Sequence, residues 1–157
     1  QFAAWEALQK PVNPRTSYNG RDGAVRWFAH DNLDPRGVTS CIGIFDYRNT
    51  DNAAAHFVSL VQSPTTRPAF LHIGWDDGIL IQLGDQVIFD ASDYPPRGKG
   101  MLYRDKHQFE KRIPFTLPKG RSQLSVTSLN SHGGWVFALR ITDDKDIPFQ
   151  DVRFRLE

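Results

Sequence analysis

Gly74-Trp75-Asp76-Asp77-Gly78 sets two neighbouring carboxylates beside an indole. Two carboxylates on one turn, joined by an amide or carbonyl oxygen from a neighbouring loop, begin the shell of hard oxygens that calcium takes. Asp76 and Asp77 are therefore the candidate metal ligands, and Asn130 in "SLNSHGG" is a candidate third oxygen. The same residues suit a sugar. A pyranose offers an apolar C–H face to an aromatic plate, and its hydroxyls need carboxylates, amides or guanidinium groups around them. Trp75 is the candidate plate, with Asp76, Asp77, Asn130 and His132 as hydroxyl partners. In the plainer alternative Asp76 caps the turn, Asp77-Gly78 supply its geometry and Trp75 is a core lid.

The segment "DYPPRGKGMLYRDKHQFEKR" interleaves Arg97, Lys99, Arg104, Lys106, Lys111 and Arg112 with Asp93, Asp105 and Glu110. Loop 91–108, which overlaps it, has eighteen residues, more than a connection in a compact domain needs. Tyr94 and Tyr103 add stacking surfaces, while Arg97 and Arg104 offer planar forks to carboxylate or sulfate, so an acidic glycan is a candidate ligand. Aromatics among basic residues also suit single-stranded nucleic acid. Nineteen Lys and Arg against eighteen Asp and Glu leave a net charge of +1, which argues against a nucleic-acid partner. The alternative for this loop is a solvated mixed-charge surface.

Catalytic signatures are missing. The five histidines (His30, His56, His72, His107, His132) are scattered, without a nucleophile elbow, a paired-His spacing or a phosphate loop. Adjacent aspartates cannot face each other across a glycosidic bond as a hydrolase requires. The chain is expected to be non-catalytic, with no cofactor required.

These residues need elements to position them. Strict alternation in "VTSCIGIF", "WVFALRIT" and "DVRFRL" predicts strands over 38–45, 135–142 and 151–156. Further strand patterns cover 24–28, 55–62, 69–74, 79–83, 86–90, 109–117 and 121–128; only "QFAAWEAL" at the start has helical composition. About ten short strands between Gly, Pro, Asn and Asp clusters predict an antiparallel β-sandwich in one domain, residues 1–157. Pro114 predicts an edge or bulged strand, since it has no amide to donate. Counting strands up and down brings the 17–23, 46–52, 75–78, 91–108 and 128–134 loops to one end, and with them Trp75, Tyr18, Tyr47, Tyr94 and Tyr103. Trp135 shares parity with Phe137 and Leu139 and is expected in the core.

In order, "YNGRDGAVRW", "SP" and an apolar strand, "DDGILIQLGDQVIF", a basic loop, "LPKGRSQLSV" and "GGWVFALRITD" resemble the galactose-binding-like β-sandwich domains of bacterial glycan-active and surface proteins, over roughly residues 17–145. Trp75 stands where that pattern carries Ser, and Gly84-Asp85 replaces an Asn-Gly hairpin turn, which a Gly-Asp pair can also make. The resemblance implies an all-β fold of jelly-roll type and an extracellular, periplasmic or cell-surface setting. It also implies carbohydrate as partner, or ancillary support of a catalytic domain in the same parent chain. A likeness confined to the Asp-Asp-Gly hairpin points to PA14-type lectin domains, where paired aspartates hold calcium.

Cys41 stands alone, which excludes an internal disulfide and reads as a small apolar side chain. No apolar run reaches membrane-span length, and a start at Gln1 reads as a piece of something longer.

Overall fold

A computed structural model describes residues 13, 15–20, 23–32, 34–45, 50–92, 109 and 111–155. Their secondary structure is almost entirely antiparallel strand. β1 (Ser17–Gly20) and β2 (Gly23–Arg26) form a separate hairpin. β3 (Val38–Ser40), β10 (Val136–Thr142), β5 (Arg67–Trp75) and β8 (Lys111–Leu117) make a four-stranded sheet in that order. β11 (Arg153–Arg155), β4 (Ala53–Ser63), β9 (Gly120–Asn130), β6 (Gly78–Leu83) and β7 (Gln86–Ala91) make a five-stranded sheet.

Alternation explains why the sheets meet. Leu71, Ile73 and Trp75 of β5, Phe115 and Leu117 of β8, and Phe137 and Ile141 of β10 point to one face. Ala55 and Val61 of β4, Ile79, Ile81 and Leu83 of β6, and Leu124 and Val126 of β9 answer from the other sheet in one continuous core. A fully buried aliphatic such as Leu71 or Ile79 contributes about 2 to 3 kcal/mol through removal from water. Pro114 lies opposite Phe70 on β8, which is an edge strand, as a residue without an amide proton requires.

One expected strand is cut short. The chain leaves the sheet after Ser40 and turns into α1 (Cys41–Ile44), whose first turn is capped by Ser40 Oγ accepting from Gly43 N at 3.3 Å. Cys41 N donates to Trp135 O at 2.9 Å, so the chain stays tethered to β10 as it leaves the ladder. The alternating pattern over 41–45 thus describes a helical turn that buries Cys41 and half-buries Ile44 and Phe45. The N-terminal segment of helical composition lies outside the described residues.

The loops sort by end. At one end Asn52 N donates to Ser131 O (2.7 Å), Ser131 N to Asp77 Oδ2 (2.6 Å) and Gly133 N to Asp51 Oδ1 (3.2 Å), so the 50–52, 76–77 and 131–134 loops converge. The 64–66, 84–85 and 118–119 connections gather at the other, where Lys119 N donates to Thr66 Oγ1 and Gly84 N to Gln123 O. No helix among the described residues is long and apolar enough to cross a membrane.

Candidate functional site

The Asp-Asp turn carries β5 of one sheet into β6 of the other, and its residues serve that crossing. Trp75 is 6 % exposed and meets the Phe89 ring edge-on, with centroids 5.0 Å apart. The indole closes the core and has no face for a sugar, which corrects its expected role as a plate. The cause is parity: Trp75 continues the inward row of Leu71 and Ile73.

Asp76 is also buried, its amide donating to Val136 O at 3.0 Å. Burial, reinforced by the Asp77 charge, pushes its carboxyl up to about 6, against the pull of the Asp77 amide and His132. Asp77 Oδ2 accepts from Ser131 N, bridging two loops. Asn130 is sealed, Nδ2 donating to Thr50 O at 2.8 Å while Oδ1 is buried without a partner. His132 is exposed, its Nδ1 within 2.9 Å of Ser131 Oγ. The four polar residues do meet at one rim, but three of them are committed to the protein's own backbone. Tyr94, Arg97, Tyr103 and Arg104 lie outside the described residues.

As a cation site the rim is thin. Asp76, Asp77 and Asn130 Oδ1 bring three side-chain groups, one of them already bonded, where calcium takes six to eight oxygens. Among the described residues no three His, Cys, Asp or Glu side chains are grouped to hold a metal. Beneath lies a second polar layer. Trp135 Nε1 donates to Ser128 Oγ at 2.9 Å, and burial pushes the neighbouring Cys41 thiol up to about 12, a nearby Ser128 hydroxyl opposing and the Asp76 charge adding. A thiol held protonated is unreactive.

A wide concavity lies elsewhere, on the flank. β11 pairs only with Leu60–Gln62 of β4, so residues 53–59 have no strand partner on that side among the described residues. The hairpin and the 27–37 segment stand over this edge and enclose a cleft of about 1430 Å³. Five large apolar side chains among the described residues are half or more exposed, and three of them, Val25, Phe28 and Phe154, line it. A concentration of otherwise costly exposed apolar surface in one concavity makes the cleft the candidate binding site.

Aromatic contacts stiffen its walls. Tyr18 and Trp27 pack edge to face at 6.2 Å. Phe28, 59 % exposed, leans on Phe45 at 6.1 Å, and Phe45 stacks on buried Trp135 at 5.9 Å. Polar side chains interrupt the apolar lining at His30, Asp31, Asn32 and Arg36. Arg36 is braced by both oxygens of Asp34, at 3.1 and 2.7 Å. His56 also lines the cleft; its Nδ1 lies 2.9 Å from Thr127 Oγ1, and burial lowers it to about 4.

Of the expected aromatics among the described residues, Tyr18 lines this cleft and Trp75 does not. Trp27 and Phe28 were legible as "AVRWF", but no local signal says that the hairpin lies across an unpaired strand edge. No family model, curated protein or solved structure matches the chain.

Proposed function

We propose that the chain is a non-catalytic carbohydrate-binding module with a galactose-binding-like sandwich of jelly-roll type, set in an extracellular, periplasmic or cell-surface protein beside a catalytic domain. The strand order supports the jelly roll. From β3 to β10, every consecutive pair except the β6–β7 hairpin lies in opposite sheets, with β3-β10-β5-β8 facing β4-β9-β6-β7.

The observation that carries the binding reading is the flank cleft, where exposed Phe28 and the Tyr18–Trp27 pair stand beside Asp31, Asn32, His30 and Arg36. Aromatic faces take the C–H side of a sugar ring, and the interspersed polar groups take its hydroxyls. The ligand site therefore shifts from the Trp75 rim to the flank. This reading does not require calcium; the residues expected to hold it, Asp76 and Asp77, lie at the rim and not in the cleft.

Affinity electrophoresis through gels containing neutral and uronic-acid polysaccharides tests the reading. Wild type is expected to be retarded by at least one of them. Phe28→Ala loses one stacking contact, about 1 kcal/mol or roughly fivefold in affinity. Equal retardation of both proteins, or none for wild type across the panel, removes the proposal. The burial of Trp75 and Asp76 favours a second reading, a ligand-free scaffold that packs against a catalytic neighbour. That reading predicts silence in every gel.

A further inference from the structure

The outward face of the four-stranded sheet carries a cluster of which the flank cleft touches only Arg140. Strand register lines up Arg140 of β10, His72 of β5 and Arg112 of β8 in one row. Each guanidinium is bedded on an aromatic ring, Arg112 over Phe70 at 3.4 Å and Arg140 over Phe109 at 4.8 Å. Such beds fix the plane of the fork, as recognition of a planar anion requires.

A carboxylate of the protein already reaches into this row. Asp143 Oδ1 accepts from Lys145 N and Ile147 N and folds the 143–147 turn. That turn holds Asp146 at φ +65 and brings its Oδ1 to 2.7 Å from Arg112 Nε and 3.3 Å from His72 Nε2. Arg112 also donates from Nη2 to Asp144 O at 2.9 Å. Thr142 Oγ1 gives its proton to Asp143 O, so it can only accept from His72 Nε2 at 2.9 Å. The imidazole is thus an Nε2–H donor, and burial together with the two arginines lowers its affinity for a proton.

The charges do not cancel. Among the described residues, the row sets two guanidinium groups against the Asp146 carboxylate, and Arg140 Nε is buried without a hydrogen-bond partner. An N–H sealed from water with no acceptor is costly, and an incoming anion would relieve it. Asp146 is half-exposed, so it can swing away.

We propose that Arg112, Arg140 and His72 form a binding site for the carboxylate group of a small ligand, and that Asp146 is the internal carboxylate occupying part of it until that ligand arrives. The site sits on the sheet's outer face, shares Arg140 with the lining of the flank cleft, and does not depend on the glycan reading.

NMR titration at constant ionic strength tests it on the whole chain, following the His72 ring and the Arg112 and Arg140 Nε–H signals. The probes are acetate, galacturonate and galactose, balanced against chloride. Saturable shifts with acetate and galacturonate, and none with galactose, are expected; a tighter response to galacturonate than to acetate assigns the source as a uronic sugar, and an equal one assigns a simple carboxylate. Asp146→Asn keeps a residue that tolerates positive φ and removes the competing charge, so affinity rises by roughly tenfold, the scale of one charged hydrogen bond. Arg140→Met keeps the apolar stem over Phe109 and loses the saturable shift. Shifts that chloride reproduces, or acetate affinity unchanged in both variants, overturn the proposal. Acetate binding with no polysaccharide retarded would sink the glycan reading alone.

Discussion

Replacing Asp76 by Asn is expected to stabilise the protein at neutral pH and do nothing in acid. The wild-type carboxyl is raised from 3.8 to about 6 by burial and by Asp77, so the folded state holds a proton that the unfolded chain has released. Stability is highest below pH 3.8, falls as pH rises through the window to about 6, and carries the full penalty at pH 7. About two pH units at 1.36 kcal/mol each set a ceiling near 3 kcal/mol. Residual solvent at the rim reduces this to about 2 kcal/mol. Asn is isosteric, can accept from the Asp77 amide and carries no charge to desolvate. For a chain of this size the gain reads as a Tm rise of about 4 to 8 °C at pH 7. Urea unfolding of both proteins from pH 3.5 to 8 isolates the difference. His56 shapes the curves of both proteins, because burial lowers it to about 4 and stability is lost as pH falls from 6.5 through that value. The two slopes oppose each other in wild type, so acid sensitivity between pH 6 and 4 emerges in Asp76→Asn. Equal stability of the two proteins at pH 7, or a gain that persists unchanged at pH 3.5, refutes the burial argument. Calcium added to the pH 7 series tests the rim as a cation site, where a Tm rise in wild type that Asp76→Asn lacks is the signature of a bound ion.

Cys41 has no exposed surface and a thiol pushed up to about 12, so iodoacetamide at pH 8 should label it only through unfolding, at a rate that follows denaturant. Rapid labelling of the native protein would contradict its place beneath Trp135. Gly37→Ala places a methyl group against the Leu139 carbonyl at φ +77, where the Gly37 carbonyl also accepts from Leu139 N at 3.1 Å. A cost of about 2 to 4 kcal/mol is expected from the strained φ plus the clash, measured by chemical denaturation. A neutral outcome would mean that β3 is not held to β10 in this register.

Period-two alternation was enough to announce an all-β chain, because a strand with one wet face must alternate whatever it pairs with. It also placed Trp135 inside, Pro114 on an edge and Arg140 on the face opposite Leu139. Strand counting brought Asp76, Asp77, Asn130 and His132 to one rim, since each antiparallel strand reverses the chain. What alternation cannot state is the depth at which a row of residues ends. Trp75 in a turn-like context suited a sugar plate as well as a core lid, and it is the last inward residue of β5. Nor could it show that Ser40 caps a helical turn, because Cys41–Ile44 satisfies both patterns over so few residues.

 Trp75 is buried because the sandwich closes over it.

The flank cleft and the Arg112–His72–Arg140 row were decided by tertiary structure alone. Phe28 and Phe154 are 126 positions apart in the chain, and they share a cleft because β11 is too short to cover the edge of β4. His72, Arg112 and Arg140 come from three strands, and their row exists because β5 pairs with β8 on one side and β10 on the other in a particular register. Local sequence determines which way each side chain points from its own strand. Which strands become neighbours, and therefore which charges and rings meet, depends on long-range pairing energies that no short stretch of sequence contains.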